Sequence, residues 1–264
     1  DGVVKIWRTA DWTLLRTYYV DTSELVSIAV SPDGTAISAN GDRGQVGLWS
    51  LAGQRLTTLE GQTSTVISLA FSPEGQHLVS GSRDGTVVYW DLATEQLVST
   101  LRDHRSGVAS LAFSPNGQQL ATASRDRTIK LWNTEGTLIT TLEGHNGRLQ
   151  TVEFDHSGEQ LVSAAADKTV RVWDLTNPLL TAYFGPSNIR DALTPQLARR
   201  LEHPGAVLST DWSPTDPLIV TGSWDGTTRL WTLTGELLTA MTNDKPIWDV
   251  AFSPDGQRIA AWGV

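Results

Sequence analysis

The sequence has no cysteine and only one methionine. Without thiols there is no disulfide framework, no thiolate nucleophile and no cysteine-ligated zinc, a usage that fits a cytoplasmic protein. No apolar run approaches the ~20 residues of a membrane-spanning helix, so no membrane insertion is expected. Basic residues are in the minority: 20 Lys and Arg stand against 29 Asp and Glu, for a net charge of −9. That balance opposes a phosphate-binding surface and argues against a nucleic-acid partner. The five histidines, at 77, 104, 145, 156 and 203, include no pair at H-x-x-x-H spacing, so no metal site is expected. The phosphate-cradling G-x-x-x-x-G-K-[ST] and the calcium-loop D-x-[DN]-x-[DN]-G are both missing, and no cofactor is expected. The chain begins at Asp1 and ends at Val264 inside an apolar stretch, which reads as a fragment of a longer protein. What it does contain is 39% hydrophobic residues with 11 Trp, enough for a substantial core and too much for disorder.

Self-similarity organises the rest. Val87-Val88-Tyr89-Trp90, Ile129-Lys130-Leu131-Trp132 and Val170-Arg171-Val172-Trp173 are copies of one segment, with Trp residues 42 and 41 positions apart. Such a period marks a repeat architecture. Each unit opens with an apolar run such as Val66 to Phe71, followed by Ser72-Pro73-Glu74-Gly75. Pro presets φ at the second position of a β-turn and Gly suits the fourth, so this predicts a strand and then a turn. A second strand follows, then Asp84-Gly85, read as a two-residue hairpin, a third strand ending at the Trp, and a short fourth strand. Four strands of about five residues in ~41 leave no room for a helix. Val66 and Ala70 face opposite to Ile67, Leu69 and Phe71, so each sheet is apolar on both faces. It must be sandwiched between its neighbours, which radial stacking achieves.

With Gly144-His145 and then Trp173-Asp174 28 residues after the His, the sequence resembles the WD-repeat β-propeller family. The offset recurs from His104 to Trp132, from His203 to Trp231 and, with Gln for His, from Gln62 to Trp90. The resemblance implies an all-β propeller of four-stranded antiparallel blades forming a single domain over residues 1–264. Counting Trp7, Trp49, Trp90, Trp132, Trp173 and Trp231 gives five complete blades and two half blades. These are six repeats' worth of chain, either a closed six-bladed ring or an open arc of a seven-bladed one. The long step from Trp173 to Trp231 locates an insertion at 177–196, with a possible short helix at Ser187 to Leu193.

Ser163, His145 and Asp167 together suggest acyl-transfer catalysis. The resemblance implies something plainer, a structural tetrad of His, Ser or Thr, Asp and Trp. Three sets match: His104, Thr122, Asp126, Trp132; His145, Ser163, Asp167, Trp173; and His203, Thr221, Asp225, Trp231. An active site does not repeat in register, and an indole N–H has no base function, so no catalytic residue is assigned. The Trp90 repeat (Gln62 for His) and the Trp49 repeat (no His) should be held by packing.

In such a fold, function sits on loops. The residues before each turn Asp, Arg83, Arg125, Ala166 and Trp224, should share a face with the His loops. Arg83, Arg125 and Trp224 are the expected anchors for an acidic or aromatic-containing peptide, extended by Arg105, Arg148, Lys245 and Trp248. The expected function is a non-enzymatic protein- or peptide-interaction scaffold within a larger bacterial regulatory or signalling protein. The alternatives are an enzymatic propeller, with a hydrolase site at the central channel, and a ligand sensor gating an attached NTPase or kinase.

Overall fold

The structure, a computed structural model, describes residues 2–8, 11, 13–20, 25–40, 44–176 and 196–263. Of the insertion expected at 177–196, residues 177–195 lie outside the described residues, and with them the expected short helix. The described residues hold 24 strands and no helix. They form five four-stranded sheets and two two-stranded ones, every sheet antiparallel and in chain order. The architecture is therefore the all-β, four-stranded repeat expected from the period.

Tertiary contacts cluster the chain into two units, 1–113 and 114–264. The first unit begins with a two-stranded sheet, β1 (Val3–Trp7) and β2 (Leu14–Tyr19). Next come β3 (Ser27–Val30), β4 (Ala36–Asn40), β5 (Val46–Ser50) and β6 (Arg55–Leu59), then β7 (Val66–Phe71), β8 (His77–Ser82), β9 (Val87–Asp91) and β10 (Gln96–Leu101). The last strand of the unit is β11 (Val108–Phe113). Its core joins residues of adjacent sheets: Val46, Leu48 and Leu59 pack with Val66, Leu69, Leu78, Val88 and Trp90. The apolar residues of β5 and β6 are thus covered by the next sheet.

The second unit continues with β12 (Gln119–Ser124), β13 (Ile129–Asn133) and β14 (Leu138–Leu142), then β15 (Leu149–Phe154), β16 (Gln160–Ala165), β17 (Thr169–Asp174) and β18 (Gln196–Glu202). A further sheet is β19 (Val207–Trp212), β20 (Leu218–Ser223), β21 (Thr227–Thr232) and β22 (Leu237–Thr242); the chain closes with the pair β23 (Ile247–Phe252) and β24 (Ile259–Gly263). β18 pairs with β17 from Gln196 to Glu202, so the insertion enters ahead of a fourth strand, as the alignment places it. Val162, Ala164, Val170 and Val172 pack against Val207, Trp212, Ile219 and Trp231 in one core.

Two turns repeat. In the Ser-Pro-x-Gly turns the fourth N–H returns to the first carbonyl, from Gly34 to Ser31 at 2.8 Å and from Gly75 to Ser72 at 2.9 Å. The second turn differs from the expected two-residue hairpin. Gly85 N–H donates to the Ser82 carbonyl at 3.1 Å, and Ser82 N–H pairs across the loop with Thr86 at 3.0 Å, leaving three residues in the loop. This is a β-turn followed by one residue at positive φ, the three-residue hairpin. Gly85 takes that place at φ +90°, and Arg127 and Lys168 hold it at +77° and +68° without a glycine's freedom.

Candidate functional site

The turn Asp is held in place before it holds anything else. Thr169 donates both its N–H (3.1 Å) and its hydroxyl (2.7 Å) to Asp167 Oδ1. Thr86 on Asp84, Thr128 on Asp126 and Thr227 on Asp225 repeat the pattern. The D-x-T spacing in four repeats is the sequence signal for it. This local bond fixes one carboxylate oxygen and turns the other towards the His loop.

In the repeat closed by Trp173 that second oxygen completes a network. Asp167 Oδ2 lies 2.9 Å from His145 Nδ1 and accepts the Asn146 N–H at 2.8 Å. On the other side of the ring, His145 Nε2 lies 2.9 Å from Ser163 Oγ, which accepts the Trp173 indole N–H at 2.9 Å. The bonding pattern assigns the imidazole proton to Nδ1, where the carboxylate accepts it, and has the Ser163 hydroxyl donate to Nε2. Burial holds His145 below its usual pKa against the opposing pull of Asp167, so the ring is neutral and the His145–Asp167 contact is a hydrogen bond, not an ion pair. Burial alone would raise Asp167, yet bonds from Thr169, His145 and Asn146 carry it below the ordinary carboxylate range. Ser163 is completely buried and its hydroxyl is already used by two partners. A nucleophile must reach a substrate, and this one meets only its own repeat.

The repeat closed by Trp231 assembles three of the four. Thr221 Oγ1 lies 2.9 Å from His203 Nε2 and accepts the Trp231 indole N–H at 3.0 Å. Asp225, however, gives its second oxygen to the Gly205 N–H at 3.0 Å, and His203 Nδ1 is buried without a partner. The ring is pushed down to about 4, first by burial and then by the Arg229 charge. In the third set Trp132 donates to Thr122 Oγ1 at 3.0 Å within the second unit, while His104 lies buried in the first. The repeat closed by Trp90 contrasts with all of these. Both amide atoms of Gln62 and the Ser80 hydroxyl are buried and unpartnered, and the Trp90 indole turns to the Glu60 carbonyl at 3.4 Å.

The proposed contact residues stand on loops beside these networks, except Trp248, which the structure places on β23 and not on the expected inter-repeat loop. Ala166 N–H bonds to the Arg148 carbonyl at 2.9 Å, and Trp224 N–H to the Ala206 carbonyl at 2.8 Å, so residues before the turn Asp adjoin the loop leading into the first strand. In the first unit Arg83 bonds in the same way to Thr65. Arg83, Arg105, Arg125, Arg148 and Lys245 are all exposed. Trp224 and Trp248 form an edge-to-face pair, with ring centroids 5.4 Å apart and planes at 80°, although they are 53% and 40% exposed. Among the described residues no group of His, Cys, Asp or Glu is arranged to hold a metal, and no helix is long and apolar enough to cross a membrane. One grouping escaped the sequence reading: Glu153, Asp211 and Asp249, on the first strands of three successive repeats. Their signal was acids at places where other copies have Ala or Ser.

Comparison with known proteins agrees with this geometry. A 60-residue stretch is 43% identical to eukaryotic translation initiation factor 3 subunit I of Aspergillus fumigatus, covering 22% of this chain and 18% of that protein. A 70-residue stretch is 39% identical to the periodic tryptophan protein 2 homolog of Neurospora crassa, covering 25% of this chain and 8% of that protein. These relatives are fungal and lend no support to a bacterial-type array. The family described as "WD domain, G-beta repeat" matches residues 53–91, 95–133, 136–174, 195–232 and 235–261, well over half the chain. With its repeat period, its four-stranded sheets and its His, Ser, Asp and Trp network all in register, the chain belongs to the WD-repeat family.

Proposed function

We propose that the chain is a non-enzymatic scaffold that receives a protein or peptide partner on the face carrying the pre-Asp turns, within a larger regulatory or signalling protein. The observation that carries this reading is the Trp224–Trp248 pair. Two indoles left half exposed and in mutual contact give up apolar burial that a purely structural role would favour. Large aromatics and Arg dominate binding hot spots, since they desolvate much area at little entropic cost. Arg125, Arg148 and Lys245 supply cations on the same kind of loop within the second unit, which suits an acidic, aromatic-containing peptide. The matched initiation factor is by its name a subunit, a role compatible with a scaffold.

The test is selection of binders from a random peptide library displayed on phage, followed by affinity measurement on variants. Trp224→Ala and Trp248→Ala should each weaken selected peptides by at least about tenfold while leaving the melting temperature unchanged. Binders that ignore both substitutions would overturn the assignment of this face.

A further inference from the structure

The sequence holds three Asn-Gly pairs, at Asn40, Asn116 and Asn146. Gly41 lies outside the described residues, and the other two pairs stand in the second unit. Such a pair is chemically unstable wherever the chain can bend, because glycine has no Cβ to keep its nitrogen away from the neighbouring side-chain amide. Whether it reacts depends on what holds that amide and that nitrogen. In this respect the two pairs differ.

Asn116 is tied at both ends. It takes the third place of a Ser-Pro-x-Gly turn, where other copies have Asp33, Glu74 and Asp255. Its Oδ1 accepts the Gln118 N–H at 3.0 Å and the Ser114 hydroxyl at 2.7 Å, so the side chain is part of the turn. The Gly117 N–H donates to the Ser114 carbonyl at 2.8 Å, which commits the attacking nitrogen as well.

Asn146, in the loop between β14 and β15, is exposed. Among the described residues neither its side-chain amide nor the Gly147 N–H makes a hydrogen bond. The fold does not ask for an amide at this place, since the equivalent residues of other repeats are Thr63, Arg105 and Pro204. What is held is the backbone. The Asn146 N–H donates to Asp167 Oδ2 at 2.8 Å, and Gly147 lies so close to the turn that a Cβ there would overlap the Asp167 nitrogen. The loop with the reactive pair is therefore the loop that brings His145 into its network.

We propose that Asn146 is a self-modification site, at which the chain loses ammonia with time and a neutral loop becomes an acidic, longer one that loosens the His145 network. The Gly147 nitrogen attacks Asn146 Cγ. The new N–Cγ bond closes a cyclic imide, and the side-chain nitrogen leaves as ammonia, taking the proton from Gly147. Water then opens the imide. Cleavage of the N–Cγ bond leaves aspartate; cleavage of the bond from the Gly147 nitrogen to the main-chain carbonyl carbon leaves isoaspartate, whose main chain runs through Cβ and Cγ. Either product adds a negative charge to the loop that Asp167 holds, and like charges repel. Isoaspartate also puts one more main-chain atom ahead of Gly147, which has no room to shift against Asp167. The bond from the Asn146 N–H to Asp167, and with it the 2.9 Å contact of Asp167 with His145, is the part that gives. The site stands independently of the partner-binding face.

Peptide mapping by mass spectrometry of the folded chain, stored in warm and mildly alkaline buffer, tests this against the same storage in denaturant. Unfolded, Asn116 and Asn146 should convert at similar rates. Folded, Asn146 should convert at least about tenfold faster than Asn116, whose three hydrogen bonds must open first. The species converted at 146 alone, isolated by anion exchange, should melt below the fresh protein. Stored Asn146→Ser should lose less than half as much melting temperature as the stored parent chain. Folded Asn146 converting no faster than Asn116, a converted species that melts with the fresh protein, or an equal loss on storage in Asn146→Ser would each overturn the proposal.

Discussion

The repeats closed by Trp173 and by Trp90 share the lengths of their first two strands, the same two turns and a buried tryptophan, yet their polar interiors differ. Around Trp173 an unbroken line of hydrogen bonds runs from Asp167 through His145 and Ser163 to the indole. Around Trp90 three buried polar atoms have no partner, and the side-chain hydrogen bonds of Asp84 stay within its own turn, with Thr86 and Ser82. Both sheets form all the same. What makes a sheet is the apolar cover on each face; the network adds to a structure that packing has already specified. Its cost when incomplete is local, about 1–3 kcal/mol for each stranded buried group.

The largest expected difference between the two repeats comes from the turn Asp. Asp167→Ala strands the Asn146 and Thr169 N–H groups and the His145 ring proton, and should cost about 2–4 kcal/mol in chemical denaturation. Asp84→Ala removes one capped threonine and should cost nearer ~1 kcal/mol. Equal losses would erase the distinction drawn between the repeats. Next comes the ring itself. His145→Ala should lower stability by ~1–3 kcal/mol without affecting peptides selected on the Trp224–Trp248 face, whereas Gln62→Ala should be close to neutral because removal of two stranded amide atoms offsets the lost packing. Smaller still, Gln62→His should stabilise by up to about 1 kcal/mol if a ring can join Ser80 to Asp84, read as a rise in melting temperature. No rise would mean that the Trp90 repeat has lost more than one residue of the network.

Acid sensitivity sharpens the comparison in another way. Burial depresses His145, and it takes His203 down to about 4, whereas either residue unfolded titrates near ~6.5. A folded value below the unfolded one means that stability is fully present above ~6.5 and is lost as pH falls through the folded value. His203→Asn should flatten that acid limb of the melting temperature, and substitutions at Gln62 should leave it unchanged.

Much of this architecture could be read from residue types alone. The Trp spacing gave the repeat, and Ser-Pro-x-Gly gave a turn whose geometry allows few alternatives. The resemblance named the members of the networks, and the bonds around His145 follow from those identities. Other features depended on distances that no residue letter carries. Asp225 and Asp167 occupy equivalent places, but one oxygen of Asp225 goes to a backbone N–H instead of to His203. The Asp-Gly pair was read as a two-residue hairpin because the preceding Arg or Trp counts as loop only once its cross-strand bond is seen to be missing. The Trp224–Trp248 pair joins a turn residue after β20 to a strand residue of β23, 24 positions further along the chain. The grouping of Glu153, Asp211 and Asp249 was visible only as departures from Ala and Ser, which acquire meaning when strands that lie far apart in sequence are known to be neighbours.

A double-mutant cycle measures the central contrast most directly. His145 and Ser163, substituted singly and together by Ala, should show a coupling of about 1–2 kcal/mol, and the same cycle on Gln62 and Ser80 should show none beyond ~0.5 kcal/mol. Equal coupling in the two repeats would contradict the account.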